Sequence, residues 1–168
     1  MDDDILQDSS MPTEPTPPAR KDFFGSYTHG IDAKGRMIIP NAYRPALGDV
    51  FTVGPTRDFR GVALYPEVVY EQILRELSSL NQRNADVQDY TRQFYKLSYR
   101  DMQPDAQGRL LLPPNIRQRI LGDARELEIS GVFDHVRIEG IEQAVRDDEA
   151  FMQNIGRIQA SIANLTPS

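Results

Sequence analysis

The chain is predicted to fold as an α+β unit in which two copies of one strand–turn–strand–helix element build a shared β-core, with longer helices outside it. Three observations predict this. The stretch Asp32-Ala33-Lys34-Gly35-Arg36-Met37-Ile38-Ile39-Pro40 returns about 73 residues later as Asp105-Ala106-Gln107-Gly108-Arg109-Leu110-Leu111-Leu112-Pro113. A repeat of that length is too long for a solenoid and fits two supersecondary units in one domain. Each copy pairs turn chemistry with a short apolar run: an Asp that can accept nearby backbone N–H bonds, a Gly free to take positive φ, then three residues long enough only for a buried strand. Between and after the copies, apolar residues recur at helical spacing.

Taken in order, residues 1–22 carry Asp2, Asp3, Asp4, Asp8, Glu14 and Asp22 against Arg20 and Lys21, with several prolines and no aromatic residue. Such a segment cannot bury enough apolar surface to fold alone and is expected to be a disordered acidic extension. The first repeat with its following helix is assigned to 23–80. Phe24–Ile31 reads as a strand and Arg36–Ile39 as its hairpin partner across the turn. Pro40 ends that strand, because proline cannot donate to a ladder, and suits the first turn of a short helix over Asn41–Leu47. Val50–Gly54 and Gly61–Tyr65 are two further strands. Pro66 then opens a helix whose Val69, Ile73, Leu77 and Leu80 form one face.

A connecting helix is placed within 81–98, on Val87, Tyr90, Phe94 and Leu97, folding back on its predecessor as an antiparallel hairpin. The second repeat, 99–155, brings strands at Tyr99–Met102 and Arg109–Leu112, a short helix over Asn115–Leu121, and strands at Glu126–Ser130 and His135–Ile138. Ile141, Ala144, Val145, Phe151, Met152 and Ile155 then continue at helical spacing towards Ile158 and Ile162. Gly156 is the expected weak point, with 156–168 as a C-terminal tail.

Composition excludes more than it assigns. There is no cysteine among the 168 residues, hence no disulfide framework and no thiolate metal site. No apolar run approaches the ~20 residues of a membrane span. Only His29 and His135 are available as neutral-pH bases, neither in metal-ligand spacing, and no Gly-rich phosphate loop is present. An enzyme, a metal, a cofactor and a small-molecule substrate are therefore not expected. The net charge of −6 argues against nucleic acid at face value. Its distribution softens the objection: Phe23 to Pro66 holds Lys34, Arg36, Arg44, Arg57 and Arg60 against Asp32, Asp49 and Asp58.

The paired Asp-x-x-x-Arg motifs, each followed by apolar residues and Pro, together with Phe24-Gly25-Ser26-Tyr27 and Leu64-Tyr65-Pro66, resemble the MraZ family of bacterial transcriptional regulators. The resemblance runs from about Phe23 to about Asn154. It implies an AbrB-like double swapped-hairpin β-barrel core and ring-shaped homo-oligomers. It also implies sequence-specific binding to direct repeats in double-stranded promoter DNA of the cell division and cell wall gene cluster, the protein's own promoter included. A cytoplasmic, nucleoid-associated repressor is the expected role. Two departures stand out: the acidic extension, and Ile138-Glu139 where the family often carries Trp.

The resemblance carries the DNA contacts onto Lys34 and Arg36, and onto Arg109 and Gln107 in the second copy. Arginine offers a planar fork for phosphate or a guanine edge, and lysine a point charge for phosphate. Gln107 keeps a hydrogen-bonding side chain where the second copy loses the charge. Asp32 and Asp105 are expected to brace the turns, with Gly35 and Gly108 supplying the positive φ. Arg44 and Arg117, on the short helices, are not assigned as contacts, and His29, beside the first turn, is read either as closing a strand end or as touching DNA, the former preferred. Two or three cations per protomer bind weakly, so affinity is expected from several copies on one duplex. The rival reading is a protein-interaction module of the AbrB/antitoxin type, acting through the C-terminal helix.

Overall fold

The computed structural model describes residues 22–165 and 167; the acidic extension therefore lies, apart from Asp22, outside the described residues. Eight strands and five helices follow one another in an order that repeats. The first series is β1 (Ser26–Gly30), β2 (Arg36–Ile38), α1 (Arg44–Leu47, led by a 3-10 turn Asn41–Tyr43), β3 (Phe51–Pro55), β4 (Val62–Pro66) and α2 (Glu67–Ser79). After α3 (Ala85–Lys96) come β5 (Tyr99–Met102), β6 (Arg109–Leu111), α4 (Pro114–Ile116, continued by a π-helical turn Arg117–Leu121), β7 (Glu126–Val132), β8 (His135–Gly140) and α5 (Ile141–Ala163).

Six strands form one antiparallel sheet in the order β1-β7-β8-β4-β3-β5, and β2 pairs with β6 in a separate two-stranded ribbon. The order is palindromic: exchanging each strand with its counterpart in the other series reproduces the sheet. It does not close, since β1 and β5 are its edges, and no closed barrel is found among the described strands.

The expected hairpin between β1 and β2 is not formed. Ser26 to Gly30 pair with Ser130 to Glu126 of β7, while Arg36, Met37 and Ile38 face Leu111, Leu110 and Arg109. Beyond the turn itself, where Asp32 N donates to Arg36 O, the two sides meet in a single isolated bridge, Ile31 to Met37. The physical reason lies in the apolar middles of β2 and β6. Met37 and Leu110 are both fully buried, and an antiparallel register that sets them opposite each other points both into the same core.

That core lies between the ribbon and one face of the sheet. Met37, Ile39, Leu110, Leu112, Tyr43, Leu47, Ile116 and Leu121 pack from the ribbon side onto Phe51, Val53, Val62, Leu64, Leu127, Ile129, Val136 and Ile138. Alternation does the sorting in β7 and β8, where Leu127, Ile129, Val136 and Ile138 point inward and charged residues point out. Strands β3 and β4 are covered on both faces. Their other side carries Ala63 and Tyr65 into a second cluster with Tyr70, Ile73 and Leu77 of α2 and Phe94 of α3. The Tyr70 and Phe94 rings stack at 6.1 Å, joining the two helices. Asn84 caps α3 by accepting from the N–H groups of Asp86 and Val87.

α5 departs from expectation in its length. It continues unbroken through Gly156, so the boundary expected at 155/156 falls inside the helix. Ala144 is its only buried residue, and Val145, Phe151, Met152 and Ile162 are exposed.

A charged relay locks the 56–61 turn to β8. Arg137 donates to both Asp58 and Glu139, and Arg60 pairs with Asp147 of α5. Burial works against ionisation of Asp58, but the Thr56 hydroxyl, the Arg60 N–H and the Arg137 guanidinium outweigh it and hold the carboxyl down at about 2. The stability Asp58 contributes is thus complete above its ordinary value of 3.8 and is lost as pH falls through about 2. Replacing Arg137 by Met strands the buried Glu139 carboxylate. It is expected to cost about 3 kcal/mol, read as a lower midpoint in urea unfolding with the slope unchanged.

Candidate nucleic-acid interface

Each Asp-x-x-Gly-Arg stretch folds by the same local bonds. Asp32 Oδ1 accepts the N–H groups of Lys34 and Arg36 at 3.0 and 2.9 Å, and its Oδ2 accepts Arg36 Nε at 2.7 Å. Asp105 does the same for Gln107, Arg109 and Arg109 Nε at 2.9, 2.9 and 2.8 Å. The backbone closes each turn identically, Gly35 donating to Asp32 and Gly108 to Asp105. The Arg36 N–H, with the guanidinium behind it, holds the Asp32 carboxyl below the usual range, and Arg109 does so for Asp105.

Of the residues expected to brace the turns, Asp32 and Asp105 accept these bonds and Gly35 and Gly108 take positive φ; Lys34, Arg36, Gln107 and Arg109 lie on the same two turns. Lys34 and Gln107 are exposed at the tips; Arg36 and Arg109 lie at the strand starts, about one-third exposed. Spending Nε on the aspartate fixes the arginine plane and leaves the two Nη groups, which bond to nothing else among the described residues.

The ribbon unites the two turns. Gly35 O accepts from Leu112 N and Gly108 O from Ile39 N, each at 3.0 Å, so the turns stand at opposite ends of one short antiparallel ladder. Five residues of strand separate them by roughly 13 Å. On the outer face between them lie Arg36 opposite Leu111 and Ile38 opposite Arg109, with Ile38 and Leu111 about half exposed.

Two further cations, Arg44 and Arg117, neither expected as a contact, lie against the turns. Gly35 has φ +87°, and a Cβ there would lie 2.5 Å from Arg117 Nη1; Gly108 has φ +79°, and a Cβ would lie 3.2 Å from Arg44 Nη1. Each short helix thus lays its arginine over the other copy's glycine. Arg44 and Arg117 occupy matching positions of the repeat, which was the available signal; the crossing of partners gives it meaning. The set is five cations (Lys34, Arg36, Arg44, Arg109, Arg117) around two committed carboxylates. Gly35→Ala must both enter a left-handed conformation and displace Arg117. The expected loss is about 1–2 kcal/mol, seen as a thermal midpoint lowered by several degrees.

His29 is half-buried in β1 opposite Leu127, on the strand that leads into the first turn. No helix among the described residues is long and apolar enough to cross a membrane.

Fold and site together define an α+β protein with a duplicated, aspartate-braced cationic turn on an exposed β-ribbon. A family model described as "MraZ protein, putative antitoxin-like" matches residues 23–93. A Limosilactobacillus fermentum protein named "Transcriptional regulator MraZ" is 33% identical over 144 residues, 86% of this chain and 99% of its own. Proteins of the same name from Syntrophomonas wolfei and Roseiflexus castenholzii are 32% and 38% identical, covering 85% and 69% of this chain and 98% and 79% of theirs. The chain belongs to the MraZ family.

Proposed function

We propose that the protein is a sequence-specific DNA-binding transcriptional regulator, and that the β2–β6 ribbon with its two turns is the surface that meets the duplex. The observation that carries this is the pair of cationic turns held in fixed geometry at the two ends of one exposed ribbon. The major groove, ~12 Å wide, admits a two-stranded β-ribbon. Arg36 and Arg109 face base edges or phosphates through their Nη groups, Lys34 faces a phosphate, and Gln107 offers a neutral hydrogen bond. Arg44 and Arg117 add positive field from behind the turns. Ile38 and Leu111, on the same outer face, suit contact with thymine methyl groups.

The exchange of β2 and β6 between the two copies is read as the family's swapped-hairpin core, with 23–80 and 99–155 as the two repeats and 81–98 as their connector. One copy presents too few cations for tight binding, so ring-shaped self-association is part of the proposed mechanism. It would place the same ribbon on successive direct repeats. The exposed apolar groups Tyr27, Val132 and Phe133 beside the edge strand β1 support a self-associating surface. Repression of the protein's own promoter and of the cell division and cell wall cluster, in the cytoplasm and on the nucleoid, follows the family. Its name and the names of the relatives support regulation of transcription rather than catalysis.

The test varies geometry as well as sequence. Duplexes carrying two copies of a site from the upstream region, spaced by about one helical turn or about one and a half, are titrated with the intact oligomer. The proposal expects tight binding only at whole-turn spacing. Equal affinity for both spacings, or for scrambled DNA, rejects it.

A second reading is favoured by one observation, the exposed Phe151, Met152 and Ile162 on α5. They suit a protein partner of the kind an antitoxin-like protein captures. A monomer in solution with α5 accessible would favour that reading over the ring.

A further inference from the structure

We propose that Gln107 sets the direction in which the protein sits on its site, by reading an adenine edge at one end of an otherwise two-fold ribbon, an inference that rests on the DNA reading of that surface. The two-fold lies within one chain. Met37 pairs with Leu110, its own counterpart in the repeat, and on either side Arg36 faces Leu111 while Ile38 faces Arg109. The flanking bonds exchange in the same way, Leu112 N donating to Gly35 O and Ile39 N to Gly108 O. Asp32 and Asp105 brace their arginines through equivalent atoms, and Arg117 and Arg44 each lie over the other copy's glycine. Exchanging the two copies therefore returns the same ribbon.

A two-fold surface suits a duplex in two directions. The phosphate frame of B-DNA has two-fold axes of its own, so arginine forks and phosphate contacts are equally available after half a turn about the ribbon's axis. A direct repeat has a direction, and only a difference between the two ends of the ribbon can follow it. The outward side chains of the two copies differ at two places. Ile38 against Leu111 exchanges isomeric aliphatic groups, both about half exposed. Lys34 against Gln107 exchanges a cation for an amide at the exposed tips. Only the second difference changes hydrogen-bonding chemistry. Lysine donates alone, to a phosphate or to guanine O6 and N7, whereas glutamine donates and accepts together, the pattern that adenine N7 and N6 match. The Gln107 N–H is held by Asp105 Oδ1 at 2.9 Å, which fixes the backbone under the side chain, and the side-chain amide bonds to nothing among the described residues. One direction sets this amide on adenine. The reverse sets a lysine there, which leaves the adenine N6 amino group without an acceptor. The preference recurs in each copy engaged on the DNA, so it multiplies.

Two measurements on the full chain test this. The chain has no cysteine, so Gln118→Cys supplies a single thiol, at an exposed position in the groove beside Asp32 and Ala33 of the first turn. The thiol carries an iron–EDTA cleaver, and strand breaks are mapped on a duplex with two upstream sites one helical turn apart, with and without Gln107→Lys. With Gln107 present, cleavage is expected on one side of each site by at least about fivefold over the other; with Gln107→Lys the two sides are expected to agree within about twofold. The second measurement needs no label. Each adenine of the site is replaced in turn by 7-deazaadenine, which lacks the N7 acceptor. One position is expected to weaken wild-type binding about five- to tenfold and to leave Gln107→Ala unaffected. Two-sided cleavage with Gln107 present, one-sided cleavage that survives Gln107→Lys, or no adenine whose N7 matters through Gln107 overturns the inference while leaving the DNA reading standing. A wild-type protein that binds the sites no better than scrambled DNA overturns the DNA reading, and the inference with it.

Discussion

Arg36→Ala is expected to abolish specific DNA binding while leaving the oligomer intact. The side chain is one-third exposed and lies on the outer face of the ribbon, so its loss opens no cavity in the core. What is lost is a pre-oriented fork. Asp32 holds Nε at 2.7 Å, which fixes the plane of the guanidinium and leaves its Nη groups outside that pair. A good bidentate contact is worth about 1–3 kcal/mol, and the loss recurs in every copy engaged on the DNA, so specific affinity falls by at least about a hundredfold. Arg36→Lys separates geometry from charge: it keeps the positive charge but not the fork. Scrambled-DNA binding by this variant should stay near wild type while the preference for the specific site disappears. Titrations on both duplexes, with light scattering for mass, check both variants.

The second large effect runs against simple electrostatics. Asp32→Ala removes a negative charge from a surface proposed to meet phosphate, and charge alone predicts tighter binding. The carboxylate, however, holds the Lys34 and Arg36 N–H groups and the Arg36 guanidinium together. Without it the turn loses its shape and Arg36 its aim, so specific affinity is expected to drop about five- to tenfold while non-specific binding rises slightly. The same substitution at Asp105 should act in the same direction but less strongly, because that turn carries Gln107 rather than a lysine at its tip. The pKa of Asp32 has a consequence too. Held below its ordinary value by the Arg36 N–H, it keeps the brace ionised throughout the neutral range, and the brace fails only as acid protonates it. Specific binding should therefore be flat with pH between about 6 and 8.

The two turns were legible because their chemistry is local. Asp, Gly and Arg at fixed offsets satisfy one another's donors and acceptors within five residues, and the structure builds both turns from those bonds. Most helices and strands were legible for the same reason, their apolar residues recurring at 3.6 or 2. Strand pairing was not. A tight turn between β1 and β2 reads as a hairpin, yet β2 takes β6 as partner, because the choice is made by where Met37 and Leu110 bury themselves and not by the turn. That exchange also hid the roles of Arg44 and Arg117, each of which covers a glycine about 64–82 residues away in sequence. Periodicity likewise left open what α5 packs on: its apolar edge is real but largely uncovered among the described residues. A helical repeat reports which residues share a face and is silent on what covers it.

The central claim is that the ribbon's cations read DNA, and it is tested most directly by the salt dependence of binding. The wild-type oligomer is titrated with a duplex carrying repeated upstream sites and with its scrambled counterpart over about 50–300 mM salt. The account predicts a clear preference for the specific duplex, affinity falling steeply with salt, and a shallower slope when Lys34 is replaced by Ala, since one phosphate contact per copy is removed. An intact oligomer that shows no preference between the duplexes, or a slope that Lys34→Ala leaves unchanged, would contradict it.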